Sequence, residues 1–324
     1  MFRRFIARLC ERPVLAGLTS AFFYLSGLFA LLAMPVFVTV TLQGGATRGL
    51  AAVGSATAAL LLLGLMLPHG GPAAVAPAFA LFGLLFVGAG EILRHGRSLA
   101  FVVTLAVLLV VAALATYALS VPHPIGTLAT AVQTALTHEG ALLVHHDPAE
   151  AHAWMHVLKT LRPLYPYLPG ILGLYVVLVF AVDLFLGAGL YAAAYSPGSY
   201  GRHFRAFRVG KTVAFLALAA LVFTLVVRRP LVHDALLAIV PLFLLQGLAV
   251  VHARLRPHPL AGLLLVLLYT LLVVAVIGGG YLVYLVFALI LLGWADNLIP
   301  LARPSNGPSA GPAAPLPPSG PPPS

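Results

Sequence analysis

Residues 168–191 read LPGILGLYVVLVFAVDLFLGAGLY, an apolar run that contains a single charged residue, Asp183. A helix needs about 20 such residues to cross the hydrocarbon core of a bilayer. Similar runs follow one another from Val14 to Ile299, and 61% of the 324 residues are hydrophobic whereas 8% are charged. The sequence therefore predicts a polytopic membrane protein.

The apolar runs are continuous and lack the alternation of a membrane β-barrel strand. We therefore predict an all-α transmembrane helical bundle with about eight to ten membrane segments. The predicted runs are 14–42, 49–67, 72–92, 99–121, 168–191, 212–227, 231–251, 260–277 and 281–299.

The Lys and Arg residues favour one topology, because cytoplasmic loops carry an excess of them. If the N-terminus is inside and run 14–42 crosses once, ten fall outside against eight inside. If the chain returns before Arg48, only four fall outside against fourteen. An exported N-terminus is the third alternative, but it places four basic residues of the first segment outside. We therefore expect both termini in the cytoplasm.

A return before Arg48 requires two crossings within run 14–42, whose 29 residues reach about 43 Å as helix. The expected solution is a helix to about Ala33, followed by a short or re-entrant second segment over Pro35–Gly45. Such a segment is tolerated only inside protein or beside water. The alternative is one long tilted helix that violates the charge rule.

Two regions are predicted outside the membrane helices of the integral domain, residues 1–302. Residues 122–166 form an external amphipathic loop, with surface helices expected at 128–136 and 149–161. Residues 303–324 consist largely of Pro, Ser, Gly and Ala, which predicts a disordered Pro-rich cytoplasmic tail.

The external loop contains six of the twelve histidines. The candidate metal ligands are His145, His146, His152 and His156, of which the last two are spaced to share a helix face. Such a set binds Zn, Ni or Co, although its spacing matches no established motif. The alternative is a solvated amphipathic helix, and no metal is assigned.

Ionisable and amide side chains inside apolar runs are candidate functional groups. The candidate intramembrane polar site comprises Asp183, Gln246, His252, Asp296 and Asn297. In the favoured topology they lie in the inner halves or at the inner ends of their helices. This location favours helix-end pairing or contact with a partner over an outward-facing substrate pocket.

Basic residues between the fifth and sixth long runs are candidate contacts for a cytoplasmic partner or for anionic lipid. They are Arg202, Arg205, Arg208 and Lys211.

Several functions have no motif in the chain. It contains no P-loop, no nucleophile elbow and no His-Glu-x-x-His, so we expect no enzyme activity and no cofactor. Cys10 is the single cysteine and cannot form an intrachain disulfide. The net charge of +10 belongs to the inner loops and does not indicate nucleic-acid binding.

Two stretches carry a family resemblance: PLFLLQGLAVVH at 241–252 and GWADNLIPLAR at 293–303. They resemble the C-terminal half of the YybS-like predicted membrane proteins, a bacterial family of unknown function. That family is distantly similar in fold to the substrate-binding subunits of energy-coupling-factor vitamin transporters. In those subunits a short second helix precedes a Gly-rich cytoplasmic turn, which residues 35–49 resemble. The chain departs from their six helices by its extra C-terminal runs.

The resemblance implies a multi-pass protein of the bacterial inner membrane. The leading hypothesis is a transporter-like subunit that binds a small solute between helices and needs a separate energising partner. The alternative is a non-transporting scaffold that recruits cytoplasmic or envelope proteins. The expected partners are the lipid bilayer, a membrane or cytoplasmic protein, and a small-molecule solute.

Overall fold

The computed structural model describes residues 2–27, 30–67, 71–144, 159–160, 162–227, 230–278, 280–299 and 301. Every secondary-structure element in these ranges is helical. The α-helices are α1 (Phe2–Glu11), α2 (Pro13–Leu25), α3 (Ala33–Met66), α4 (Gly71–Arg94), α5 (Leu99–Ser120), α6 (Pro124–Val144), α7 (Leu168–Tyr195), α8 (Ser199–Arg205), α9 (Lys211–Val227), α10 (Pro230–Leu255), α11 (Ala261–Gly278) and α12 (Val283–Leu298). Short 3-10 helices, Ala30–Leu32, Arg162–Tyr167 and Gly280–Leu282, precede α3, α7 and α12.

Within the described residues, six helices are long and apolar enough to cross a membrane. They are Ala30–Met66, Gly71–Arg94, Leu99–Ser120, Arg162–Tyr195, Pro230–Leu255 and Gly280–Leu298, and three shorter apolar helices accompany them. The prediction of an all-helical bundle with several helices of membrane-spanning length is confirmed.

The first predicted run is not one continuous helix. Helix α2 ends at Leu25, eight residues before the expected end at Ala33, and Gly27 follows with a φ of 63°. A left-handed residue of this kind stops a helix, and glycine adopts it without strain. Helical structure resumes only at Ala30, so the alternative of a single long helix over 14–42 is wrong.

Helix α3 is broken at Gly45, where φ is 79° and ψ is 178°. Its two arms, residues 33–44 and 46–66, fold back on each other. Gly49 of the second arm lies directly against Thr41 of the first, since a side chain added at Gly49 would collide with Thr41 Oγ1. In a straight helix those residues would stand about 12 Å apart. The predicted turn at Gly44 and Gly45 is therefore present.

The break brings Arg48 to the end of the bundle that carries the N-terminal helix. Arg48 Nη1 donates to the carbonyl oxygen of Cys10 at 3.5 Å and to Gln43 Oε1 at 2.8 Å. Arg94, at the last turn of α4, lies against Gly45. The grouping of these basic residues at one end agrees with the charge-based prediction.

Helix α1 lies across this end of the bundle. Its apolar side chains Ile6, Leu9 and Cys10 are buried, whereas Arg4 and Arg8 are exposed. Arg3 donates to the carbonyl oxygen of Ala194 at 3.1 Å, which fixes α1 on the last turn of α7.

Small residues allow the long helices to pack closely. Gly17 of α2 faces Ala52 and Ser55 of the second α3 arm, and Gly187 of α7 faces Val38 of the first arm. Thr39 Oγ1 also donates to the carbonyl oxygen of Gly187 at 3.0 Å. The first arm of α3 is therefore buried inside the bundle. This agrees with the expectation that a short segment at membrane depth must be surrounded by protein.

The C-terminal half packs through two glycines. A side chain at Gly247 of α10 would meet the Leu289 carbonyl, and one at Gly293 of α12 would meet the Phe243 carbonyl. The two sequence stretches that carry the family resemblance are therefore in direct contact.

The predicted surface helix at 128–136 lies within α6. The second, at 149–161, falls almost entirely outside the described residues, as does the predicted tail at 303–324.

Candidate functional site

A cavity of about 810 Å³ lies between α4, α5 and α7 and is bounded on one side by the connection from α2 to α3. Its lining is almost entirely apolar. Cavities of about 300–1,000 Å³ with apolar walls and a few polar groups are typical of small-molecule sites. The lining includes Tyr24, Phe79, Phe82, Phe86, Phe180 and Asp183.

Aromatic side chains form much of the cavity wall. Phe79, Phe82 and Phe86 follow the spacing of one face of α4. The rings of Phe86 and Phe180 stack with their centroids 4.9 Å apart, and Tyr24 meets Phe79 edge to face at 5.0 Å. Interlocked rings hold their positions, so the wall is formed before any ligand arrives.

Among the described residues that line the cavity, Asp183 is the only Asp, Glu, Lys, Arg or His. The residue is 2% exposed, and its Oδ1 atom is buried without a hydrogen-bond partner among the described residues. Phe180 precedes it by one turn of α7, so the ring and the carboxyl group share a helix face. Buried polar atoms almost always have partners, so Asp183 is a candidate ligand-binding group.

Asp183 is also deep in the bundle. It follows Leu168 by 15 residues and precedes Tyr195 by 12. At 1.5 Å per residue these intervals are about 22 Å and about 18 Å. The carboxyl group therefore lies near the middle of α7, far from both helix ends.

Gln246, Asp296 and Asn297 form a separate polar network. Gln246 Nε2 donates to Asp296 Oδ2 at 2.9 Å, and Gln246 Oε1 accepts from the Val209 amide at 3.0 Å. Asn297 Oδ1 accepts from the Gly210 amide at 2.8 Å. The network fixes the segment that leads into α9, which agrees with the predicted helix-end pairing.

Arg208 completes this network. It donates to the Asp296 carbonyl at 2.6 Å, and its Nε atom lies 3.9 Å from Asp296 Oδ2. The other carboxylate oxygen, Oδ1, accepts from the Leu301 amide at 2.8 Å. Because its donors and acceptors are matched internally, the network holds helices together and offers no open ligand site.

His252 belongs to neither group. Its Nδ1 atom is 2.9 Å from the Leu248 carbonyl oxygen, and its ring meets Phe204 edge to face at 4.9 Å. Tyr269 lies on the other side, with its hydroxyl 3.4 Å from Nε2. The five candidate polar residues are thus divided, and Asp183 alone lines the cavity.

The basic candidates differ in exposure. Arg202 and Lys211 are exposed, Arg205 is half-buried, and Arg208 contacts Asp296. Burial and the neighbouring positive charges of Arg256 and Arg202 lower the pKa of Arg205. Such a cluster produces a positive surface at this end of the bundle.

The four histidines proposed as weak metal ligands, at 145, 146, 152 and 156, lie outside the described residues. Among the described residues, no three His, Cys, Asp or Glu side chains are grouped for a metal ion.

The aromatic wall was missed at the sequence level, although Phe79, Phe82 and Phe86 carry a visible signal in their spacing. A second missed residue is Asp234, whose Oδ1 accepts from the Gly170 amide at 2.9 Å. It satisfies a free amide in the first turn of α7 from a neighbouring helix. Nothing in the sequence near Asp234 indicates that partner.

No family model, curated protein or solved structure matches the chain.

Proposed function

We propose that this protein is a solute-binding subunit of a membrane transporter and that its site is the cavity between α4, α5 and α7. The observation that carries the proposal is Asp183, a buried carboxyl group without a hydrogen-bond donor in an apolar cavity of about 810 Å³. A buried acceptor left unpaired lowers stability. Its presence is therefore explained best by a function that requires it.

The proposal includes ten membrane segments: α2, the two arms of α3, α4, α5, α7, α9, α10, α11 and α12. The arm at residues 33–44 is the short returning segment, and both termini are cytoplasmic in a bacterial inner membrane. The grouping of Arg48, Arg94 and α1 at one end supports this orientation. The YybS-like resemblance belongs to the same proposal.

The energy for transport comes from a separate partner in this proposal. The sequence has no nucleotide-binding loop, and Asp183 is the one carboxylate along the cavity wall. The exposed basic cluster around Arg202 and Arg256 is a surface on which a cytoplasmic partner can dock.

A pair of glycine variants tests the site. Gly88 lines the cavity, and a Cβ atom added there meets nothing within 4 Å, so we expect Gly88→Leu to reduce the space in the cavity. Gly54 of α3 also has open space but does not line the cavity, so Gly54→Leu is the matched control. Both changes raise helix propensity equally.

The measurement is mass spectrometry of small molecules retained by protein purified in native lipid. We expect at least one compound to remain with the wild type and with Gly54→Leu and to be lost from Gly88→Leu. If the three proteins retain the same compounds, the cavity is not a solute site and the proposal is wrong.

The scaffold remains the second candidate because of the basic cluster. A scaffold should co-purify with another protein through Arg202 and Arg256, and Gly88→Leu should leave that association unchanged. Replacing both arginines with Gln should abolish it.

A further inference from the structure

We propose that the cavity binds a small amphiphilic amine, with its cationic nitrogen on Asp183 and its apolar body against the aromatic wall. This inference rests on the proposed function and specifies the chemical class of its solute.

The carboxyl group selects the charge of the ligand. An ionised carboxylate in apolar surroundings is stable only when it is paired with a cation and hydrogen-bonded. No described residue supplies that cation to Asp183, and no other charged side chain lines the cavity. A ligand ammonium group supplies both the positive charge and the N–H donor, which gives a stronger hydrogen bond than a neutral donor does.

The aromatic wall supports the same selection. Phe180 lies one helical turn from Asp183 and stacks on Phe86. The faces of aromatic rings attract cations, so a carboxylate beside rings is a typical recognition pattern for amines. An anionic solute is disfavoured, because the negative charge of Asp183 would repel it.

The remaining walls define the rest of the ligand. Mostly apolar side chains of α4, α5 and α7 line the cavity, and among the described residues they provide no oppositely charged partner for a second charged group. The solute therefore carries one cationic nitrogen on an otherwise apolar body.

The depth of Asp183 separates a small solute from a membrane lipid with an amine headgroup. The carboxyl group is about 18 Å along α7 from its nearer end, and lipid headgroups lie at the surface of the hydrocarbon core, so an amine headgroup would have to enter the core to reach Asp183. We therefore assign the cavity to a small molecule.

Binding of matched amine and alcohol pairs tests the inference. The probes are tryptamine with tryptophol, phenethylamine with phenethyl alcohol, and 1-aminoadamantane with 1-adamantanol. The full chain is reconstituted in phosphatidylglycerol nanodiscs, which contain no lipid amine, and dissociation constants are measured by calorimetry at pH 7. For at least one pair, we expect the amine to bind the wild type at least about tenfold more tightly than its alcohol.

Three variants locate the effect. Asp183→Asn keeps an acceptor oxygen but loses the charge, so the preference should fall below about threefold. Asp234→Asn makes the same change at a buried carboxylate outside the cavity and should keep the preference. Gly88→Leu should weaken the amine and the alcohol together.

The possible results separate this inference from the proposed function. If no amine is preferred over its alcohol, or if Asp183→Asn keeps the preference, the amine inference is wrong. If the alcohols bind as tightly as the amines and Gly88→Leu abolishes the binding of both, the proposed solute site stands and only the amine inference is wrong. If added phosphatidylethanolamine displaces tryptamine, the occupant is a lipid and the small-solute inference fails.

Discussion

Thr41 and Gly49 are in contact across the break at Gly45, so that a methyl group added at Gly49 would overlap Thr41 Oγ1. This contact establishes that the two arms of α3 run alongside each other. It also explains how the short segment Pro35–Gly45 is enough to return Arg48 to the end of the bundle that carries α1.

The contact predicts where introduced cysteines react. Single cysteines near Arg48, Arg94 and Arg205 should be protected from an impermeant maleimide added to intact cells, and one near Glu139 should react. The physical reason is that the first three sites share the end proposed to face the cytoplasm. Reaction near Arg48 together with protection of the N-terminus would contradict the double crossing.

The native cysteine should not interfere with that experiment. Cys10 is fully buried, and burial raises the pKa of its thiol from an ordinary value of 9.0 to about 11. Since the thiolate is the reactive form, we expect negligible alkylation of the folded protein at pH 8. Alkylation should become complete after denaturation, as measured by intact mass. Rapid reaction of the folded wild type would refute the docking of α1.

Gly45→Ala tests the reversal itself. At Gly45, φ is 79° and ψ is 178°, a region that is almost exclusive to glycine. We expect the substitution to destabilise the protein by about 1–3 kcal/mol and to lower the melting temperature in detergent. Gly54→Ala is the control, because that glycine has ordinary helical backbone and open space. Equal melting temperatures for both variants would argue against the break.

Two leucine substitutions distinguish a carboxylate kept for a ligand from one kept for structure. Asp183→Leu removes a buried group that no described residue pairs with, so its melting temperature should equal or exceed that of the wild type. Asp234→Leu leaves the Gly170 amide without its acceptor and should cost about 1–3 kcal/mol. Thermal unfolding in detergent measures both. A lower melting temperature for Asp183→Leu would show that Asp183 has a structural partner.

The apolar runs predicted the helices well, because in a membrane both the length and the composition of a span are fixed by the solvent. Charge counting also anticipated the reversal before Arg48. The end of α2 was misplaced because the run stays apolar through the turn, and only Gly27 indicates the stop.

The candidate site was less predictable. Gln246 and Asn297 were singled out as polar groups in apolar runs, but their side-chain oxygens accept from the backbone amides of Val209 and Gly210, which no side-chain pattern can show. The cavity depends on the distance between α4, α5 and α7. Sequence gives the face on which Phe86 or Asp183 lies, but not the gap between facing helices.

The short first hairpin has a consequence for how the surrounding lipid is arranged. Helix α2 has 13 residues and reaches about 20 Å, whereas the hydrocarbon core is about 30 Å thick. Phe22 and Leu31 are exposed on this flank, so acyl chains must shorten or tilt to cover them. Tyr24, Leu31 and Met34 at the same place line the cavity. The stability of the hairpin, and with it the cavity wall at Tyr24 and Met34, should therefore depend on acyl-chain length.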